Sequence, residues 1–224
     1  MTGPRAPRPL RVGFVLHVMQ VAGAEVLVAE TIRRLGPRID PVVLCLDAVG
    51  QLGERMRDDG VPVVKLGRRP GVDLGLARRM AREIQSRQLE VIHAHQYTPF
   101  FYTALARPLA RQRVHVMFTE HGRHYPDVVS WKRRLTNRFI LSRFADEIHG
   151  VCQFSADSLS QVDGFSARSI SVIRNGIDLS RYPATPRREA RGRLGLHPGK
   201  IAARTKALAV AGKDDRPNVL GPAE

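Results

Sequence analysis

From residue 11 onward the chain alternates two kinds of hydrophobic pattern. Short apolar runs rich in β-branched residues fall at 11–18, 41–46, 62–66, 89–94, 114–119, 147–152 and 169–173, and each predicts a strand. Between them lie segments at 24–35, 51–59, from Asp73 to about 89, 99–110, 130–144 and 155–162, where apolar residues recur every three or four positions and predict helices. Gly36-Pro37 and Gly60 supply stop signals, Pro99 suits a first helical turn, and Asn175-Gly176 marks a turn. Strands joined through helices run parallel with right-handed crossovers. Nearly continuous apolar strands belong to a sheet buried on both faces. The expected fold class is therefore α/β: a doubly wound, mainly parallel Rossmann-like sheet of about seven strands with helices on both faces.

The helical periods also predict which side chains face inward. In 24–35 the apolar side carries Val26, Leu27, Ala29, Ile32 and Leu35. In the helix from Asp73 it carries Leu74, Leu76, Ala77, Met80, Ala81, Ile84 and Leu89, with Arg78, Arg79, Arg82 and Arg87 largely opposite. In 130–144, Trp131, Leu135 and Phe139 fall at i, i+4 and i+8 among Lys132, Arg133, Arg134, Arg138 and Arg143. The default for a helix of an α/β domain is to bury such a stripe and turn its arginines to water, and that packing is expected here. The alternative is contact between this basic amphipathic helix and an anionic membrane surface.

The rhythm stops after residue 173. Residues 1–10 form a Pro- and Arg-bearing leader expected to be disordered, 11–180 the domain, 181–199 a Pro/Arg/Gly-rich linker, and 200–224 an atypical tail too short for a domain. No run approaches the ~18–20 apolar residues of a membrane span, and the leader lacks the apolar core of a signal peptide. Cys45 and Cys152 both sit in apolar runs, which predicts buried thiols in a reducing, cytoplasmic compartment.

Charge changes this picture little. Lys+Arg number 36 against 21 Asp+Glu, a net +15. Arginine dominates, and its pairs (Arg33-Arg34, Arg68-Arg69, Arg78-Arg79, Arg133-Arg134, Arg187-Arg188) are spread along the chain. Without an aromatic RNA-binding cluster or zinc-finger spacing, no specific nucleic-acid partner is expected.

Ligands of open α/β sheets sit beyond the C-terminal ends of the strands. There the sequence places Val21-Ala22-Gly23-Ala24-Glu25, then His93-Ala94-His95-Gln96, then Thr119-Glu120-His121-Gly122-Arg123-His124, and last Arg174-Asn175-Gly176-Ile177-Asp178. The first loop lacks G-x-G-x-x-G, which argues against a dinucleotide cofactor. The amides of Gly23, Ala24 and Glu25 either meet a phosphate or simply close a tight turn. His93 and His95 share one side of a strand end. With no third ligand in view they line a cleft rather than hold zinc. His121 is placed either to bind a sugar hydroxyl or move a proton, or to serve as an ordinary loop histidine.

Taken together and in this order, these loops resemble the N-terminal half of family 4 retaining glycosyltransferases of the GT-B fold. The carriers are Val18 to Glu25, Val91-Ile92-His93-Ala94-His95, Thr119-Glu120-His121-Gly122, and Val172-Ile173-Arg174-Asn175-Gly176-Ile177-Asp178; Arg187, Arg191, Leu194, Gly195 and Leu196 match the connector to the family's second domain. The resemblance implies transfer of a sugar from a nucleotide-sugar to a glycan or lipid-linked acceptor in polysaccharide biosynthesis. This domain would take the acceptor side, and no metal or other cofactor would be used. It implies that His121 contacts the transferred sugar. Gly23, Ala24, Glu25, His95, Gly122, Asn175 and Gly176 would meet phosphate or acceptor, with Ala22 standing where the family more often has glycine.

That family's second domain carries a Glu-x7-Glu pair on the donor, and no two glutamates here are eight apart. The expectation is a chain truncated before the donor domain, or half of a split enzyme, weakly active or inactive alone and peripheral at the inner membrane face if the basic helix binds lipid. The other classes are a stand-alone sugar- or anion-binding module, perhaps paired with a separate donor domain, a different GT-B enzyme such as a nucleotide-sugar epimerase, and a basic nucleic-acid-binding protein.

Overall fold

The computed structural model describes residues 8–122, 130–176, 178 and 185–195. The chain divides into two units, Met1–Asn175 and Gly176–Glu224. In the first, strands and helices alternate: β1 (Leu10–Val18), α1 (Gly23–Leu35), β2 (Ile39–Ala48), α2 (Gly50–Asp58), β3 (Val63–Lys65), α3 (Leu74–Ser86), β4 (Val91–His95), α4 (Tyr97–Ala106), β5 (His115–Glu120), α5 (Trp131–Phe139), β6 (Glu147–Gly150), α6 (Gln153–Gln161) and β7 (Ile170–Val172). The seven strands form one parallel sheet in the order β3-β2-β1-β4-β5-β6-β7. The expected fold class holds. In the second unit the described residues contain α7 (Arg187–Arg193), so part of the segment read as a linker is helical.

Alternation along the strands divides the core in two. Val12, Phe14 and Leu16 of β1 pack with Val28 and Ile32 of α1 and Met56 of α2. On the other face Val15, Ile92, Ala94, Val116 and Phe118 meet Leu76, Met80 and Ile84 of α3, Phe100 of α4 and Leu159 of α6. Phe100 and Phe118 stack with ring centroids 4.4 Å apart. Close approach explains one glycine: a Cβ on Gly150 would lie 2.6 Å from the Ala156 backbone nitrogen, so only glycine lets α6 sit this near β6.

Four sequence expectations need correction. The inward face of α1 is Ala24, Val28 and Ile32, an i, i+4, i+8 line, and Val26 is exposed. On α3 the stripe from Leu76 to Ile84 is buried as expected, but Leu74 lies in the first turn and faces water. Cys45 is buried, which pushes its thiol up to about 11, whereas Cys152 is exposed at the start of α6 and its thiol is lowered by the hydrogen bond with the Ser155 hydroxyl. The largest correction concerns α5. Trp131 is 67% exposed and Phe139 54%, with Leu135 and Ile140 exposed as well; the buried residue of the helix is Asn137. Its inward side is polar. Asn137 Nδ2 donates to the Asp163 carbonyl at 2.8 Å, Tyr97 Oη donates to Asn137 Oδ1 at 2.7 Å, and the Arg133 guanidinium lies 3.7 Å over the Tyr97 ring and pairs with the buried Asp163 carboxylate. Hydrogen bonds, rather than the apolar stripe, decide which way this helix turns.

Candidate functional site

In this strand order the chain reverses direction between β1 and β4. From β1 it runs outward through β2 and β3, and from β4 the other way through β5, β6 and β7. The crevice at the C-terminal ends of β1 and β4 is where such sheets hold ligands. Three histidines gather there. His93 and His95 alternate with Ala94 and so share one face of β4; their ring centroids are 4.0 Å apart. Phe14, on the neighbouring β1, lies 6.0 Å from the His93 ring and 6.3 Å from that of His95. Parallel register sets Thr119 of β5 beside His95, and the Thr119 hydroxyl meets His93 Nε2 at 2.8 Å. One residue beyond β5, His121 places Nε2 2.8 Å from His95 Nδ1, the rings stacked at 5.1 Å.

Backbone geometry holds both loops in place. Gln96 N–H donates to the Thr119 carbonyl at 2.8 Å, tying the end of β4 to β5. Gln96 does so at φ 72° and ψ 164°, a conformation that strains any residue with a Cβ. Gly122, at φ 130°, turns the chain away after His121, and its N–H donates to the buried Glu120 carboxylate at 3.2 Å. A Cβ there would have open space around it, so only the backbone angle asks for glycine.

Burial sets the charge of the trio. It pushes His93 down to about 4, with further lowering from His149 and His121, and it holds His95 well below the ordinary imidazole value with help from His93 and His121. Burial also lowers His121. At neutral pH the cluster is therefore an uncharged hydrogen-bonding surface. Among the described residues no group of three or more His, Cys, Asp or Glu side chains could hold a metal ion.

The first loop meets the same edge of the sheet. Ala22 precedes α1 without a side-chain cap, and the amides of Gly23, Ala24 and Glu25 find no acceptor among the described residues. A Cβ on Gly23 would meet nothing within 4 Å, so the space before this turn is open. The Glu25 carboxylate already lies in that first turn. β7, which leads into the fourth loop, stands two strand spacings from β5, about 10 Å, and four from β1, about 19 Å. Asn175 is exposed, Gly176 begins the second unit, and Ile177 lies outside the described residues, as do Arg123 and His124.

The sequence left several neighbours of the site unassigned. Thr119 was visible only as part of its loop, and Phe14 only as one position in the predicted strand 11–18; register makes each a partner of the histidines. No sequence signal marks the backbone of Gln96. On the β2 side of the same edge, Asp47 joins His17 (Nδ1 to Oδ2, 3.0 Å) to Arg68 (Nε to Oδ1, 2.7 Å). Against the upward pull of burial, hydrogen bonds from Arg68 and His17 hold the Asp47 carboxyl below its usual range. A cavity of about 610 Å³ lies elsewhere, between α3 and the turn after α4, lined by Arg78, Arg79, Arg82 and Arg111 and by none of the residues above.

The family model for Glycosyltransferase Family 4 matches residues 21–181, and the chain belongs to that family. Solved structures share the fold. A glycosyltransferase from Rickettsia africae is 16% identical at TM-score 0.65, the match covering 85% of this chain and 51% of that one. Anabaena Alr3699/HepE, crystallised with UDP and glucose, is 21% identical at TM-score 0.64, covering 83% and 50%. The lipopolysaccharide outer core galactosyltransferase WaaB is 12% identical at TM-score 0.54, covering 76% and 47%. The chain thus spans about half the length of the solved structures it matches, and it has the architecture of one Rossmann-like domain of a GT-B glycosyltransferase. No curated protein matches the sequence.

Proposed function

We propose that this domain forms the acceptor side of a retaining glycosyltransferase, which moves a sugar from a nucleotide-sugar to a glycan or lipid-linked acceptor. The donor would be held by a second domain of the kind that makes up the other half of the solved relatives. The observation that carries this reading is the His93-His95-His121 cluster: neutral, hydrogen-bonded and set at the crevice between β1 and β4. His121 is the side chain proposed to contact the transferred sugar, with Gly122 leaving room beside it. The open amides of Gly23, Ala24 and Glu25 are the groups proposed to meet a phosphate. His95 sits behind His121, and Asn175 and Gly176 are proposed, as the family resemblance implies, to meet phosphate or acceptor. No metal enters this scheme; charge on the departing diphosphate would be met by basic side chains.

The exposed stripe of α5 supports a second part of the proposal, peripheral attachment at the cytoplasmic face of an anionic membrane through 130–144. No helix among the described residues is long and apolar enough to cross a bilayer. Titrating the 15N-labelled chain with a panel of hexoses, hexose 1-phosphates and short glycans tests the first part. Expected are amide shifts converging on Gly23 to Glu25, His121 and Gly122, lost in His121→Ala. Shifts confined to other surfaces, or none across the panel, would remove the proposal.

A further inference from the structure

The His95–His121 contact has a direction. Each ring of a neutral pair carries one N–H, so in the 2.8 Å contact between His95 Nδ1 and His121 Nε2 one nitrogen donates and the other accepts. The second nitrogen of His95 decides which. His95 is 4% exposed, and its Nε2 has no hydrogen-bond partner. If His121 donated, His95 would accept on Nδ1 and carry its own proton on Nε2, leaving a buried N–H with no acceptor. If His95 donates from Nδ1, its Nε2 holds only an unshared lone pair. Buried N–H groups without acceptors are the rarer of the two defects.

We infer that His95 is a positioning residue that donates from Nδ1 to His121 Nε2 and so locks His121 in the Nδ1–H tautomer. The site then presents a neutral histidine whose one N–H is at Nδ1 and whose Nε2 lone pair is spent within the protein. Such a group donates a hydrogen bond to a sugar hydroxyl or a phosphoryl oxygen. It is not a general base through Nε2. Phe14 and His93 flank His95, and the Thr119 hydroxyl engages His93 rather than His95, so no neighbour among these supplies the acceptor that the opposite tautomer would need. The consequence for sugar binding rests on the proposed function; the tautomer does not.

The test is a long-range 1H–15N spectrum of the full chain labelled at histidine, near pH 7.5. Expected is a His121 with a protonated Nδ1 and a bare Nε2. His95→Asn, which keeps a short N–H donor close to the position of Nδ1, should preserve that pattern. His95→Phe keeps a ring and removes the donor, and should return His121 to the mixture dominated by Nε2–H that a free imidazole prefers. A wild-type His121 protonated on Nε2 overturns the inference without any variant. So does an unchanged tautomer in a folded His95→Phe. A locked tautomer with no sugar binding would leave the inference standing and remove the proposed function.

Discussion

Helices α3 and α5 pose the same question and answer it in opposite ways. Both carry an apolar stripe at helical spacing and both are rich in arginine. In α3 the stripe Leu76, Met80 and Ile84 is fully buried on the sheet, and Arg78 and Arg82 face water. In α5 the stripe faces water, and Arg133 and Asn137 face the protein. What differs is what waits beneath. Under α3 lie Ala94, Phe118 and other apolar side chains of one core. Under α5 lie Tyr97 and Asp163, whose hydroxyl, carbonyl and carboxylate demand polar partners. A buried carboxylate left without its cation costs more than a few exposed apolar side chains, so the polar face is drawn inward.

The largest effects come from the anchors on each side of this comparison. Arg133→Ala removes the guanidinium from the Asp163 carboxylate, which is 0% exposed, and is expected to cost about 3–5 kcal/mol. Met80→Ala opens a cavity in the core under α3 and is expected to cost about 2–5 kcal/mol. Both are read from the midpoint of urea unfolding. If Arg133→Ala unfolds at the wild-type midpoint, α5 is not held by its polar face and the contrast collapses.

This contrast also shows which parts of the molecule were legible in the sequence. All seven strands were found, because runs such as Val12 to Leu16 and Val114 to Phe118 are largely apolar, and their parallel pairing followed from the helices between them, whereas their order in the sheet was not legible. The orientation of α5 was not legible. An i, i+4, i+8 pattern reports that a helix has two faces, but the choice between them was made by Tyr97 and by Asp163, distant in sequence. The site divides similarly. His93, His95 and His121 stood out as histidines at strand ends, and parallel register brings them together. Which nitrogen meets which, and the strained backbone of Gln96, depend on three-dimensional placement that no spacing encodes.

A smaller effect, visible only in acid, separates the helix caps. Asp73 Oδ1 accepts from the Leu76 N–H that opens α3, and Oδ2 accepts from Arg69 N–H and from Arg79. These bonds, the Arg69 N–H foremost, hold its carboxyl down to about 2. Its folded value thus lies below the unfolded one of about 3.9. The stabilisation it provides is complete above that value and is lost as the pH falls from about 4 through about 2. The cap of α5 is Ser130, whose hydroxyl accepts from Arg133 N–H and does not titrate there. Hydrogen exchange between pH 4 and 2 should therefore show the first turn of α3 opening ahead of that of α5. Asp73→Asn, a capping side chain without a proton to gain, should flatten the α3 response. Equal opening of the two first turns would remove this distinction.

The smallest expected change in stability carries the sharpest functional question. Trp131, Leu135, Phe139 and Ile140 are exposed, so changing all four to serine should shift the unfolding free energy by no more than about 0.5 kcal/mol at each site. Lys132 and Arg138 lie beside Trp131 and Phe139 (5.7 and 5.9 Å from the ring centroids), and neither they nor Arg143 has an ion-pair partner among the described residues. An apolar stripe framed by cations in this way suits the headgroup region of an anionic bilayer, where each basic residue contributes about 1 kcal/mol near the surface. Wild-type chain should therefore sediment with phosphatidylglycerol-containing vesicles at low salt and not with pure phosphatidylcholine. The fourfold serine variant should lose at least tenfold in vesicle affinity while losing no more than about 2 kcal/mol of stability over its four sites. A variant as destabilised as Met80→Ala would instead mark the stripe as packed core. A stable variant that binds vesicles undiminished would leave the outward stripe of α5 without a role at the membrane.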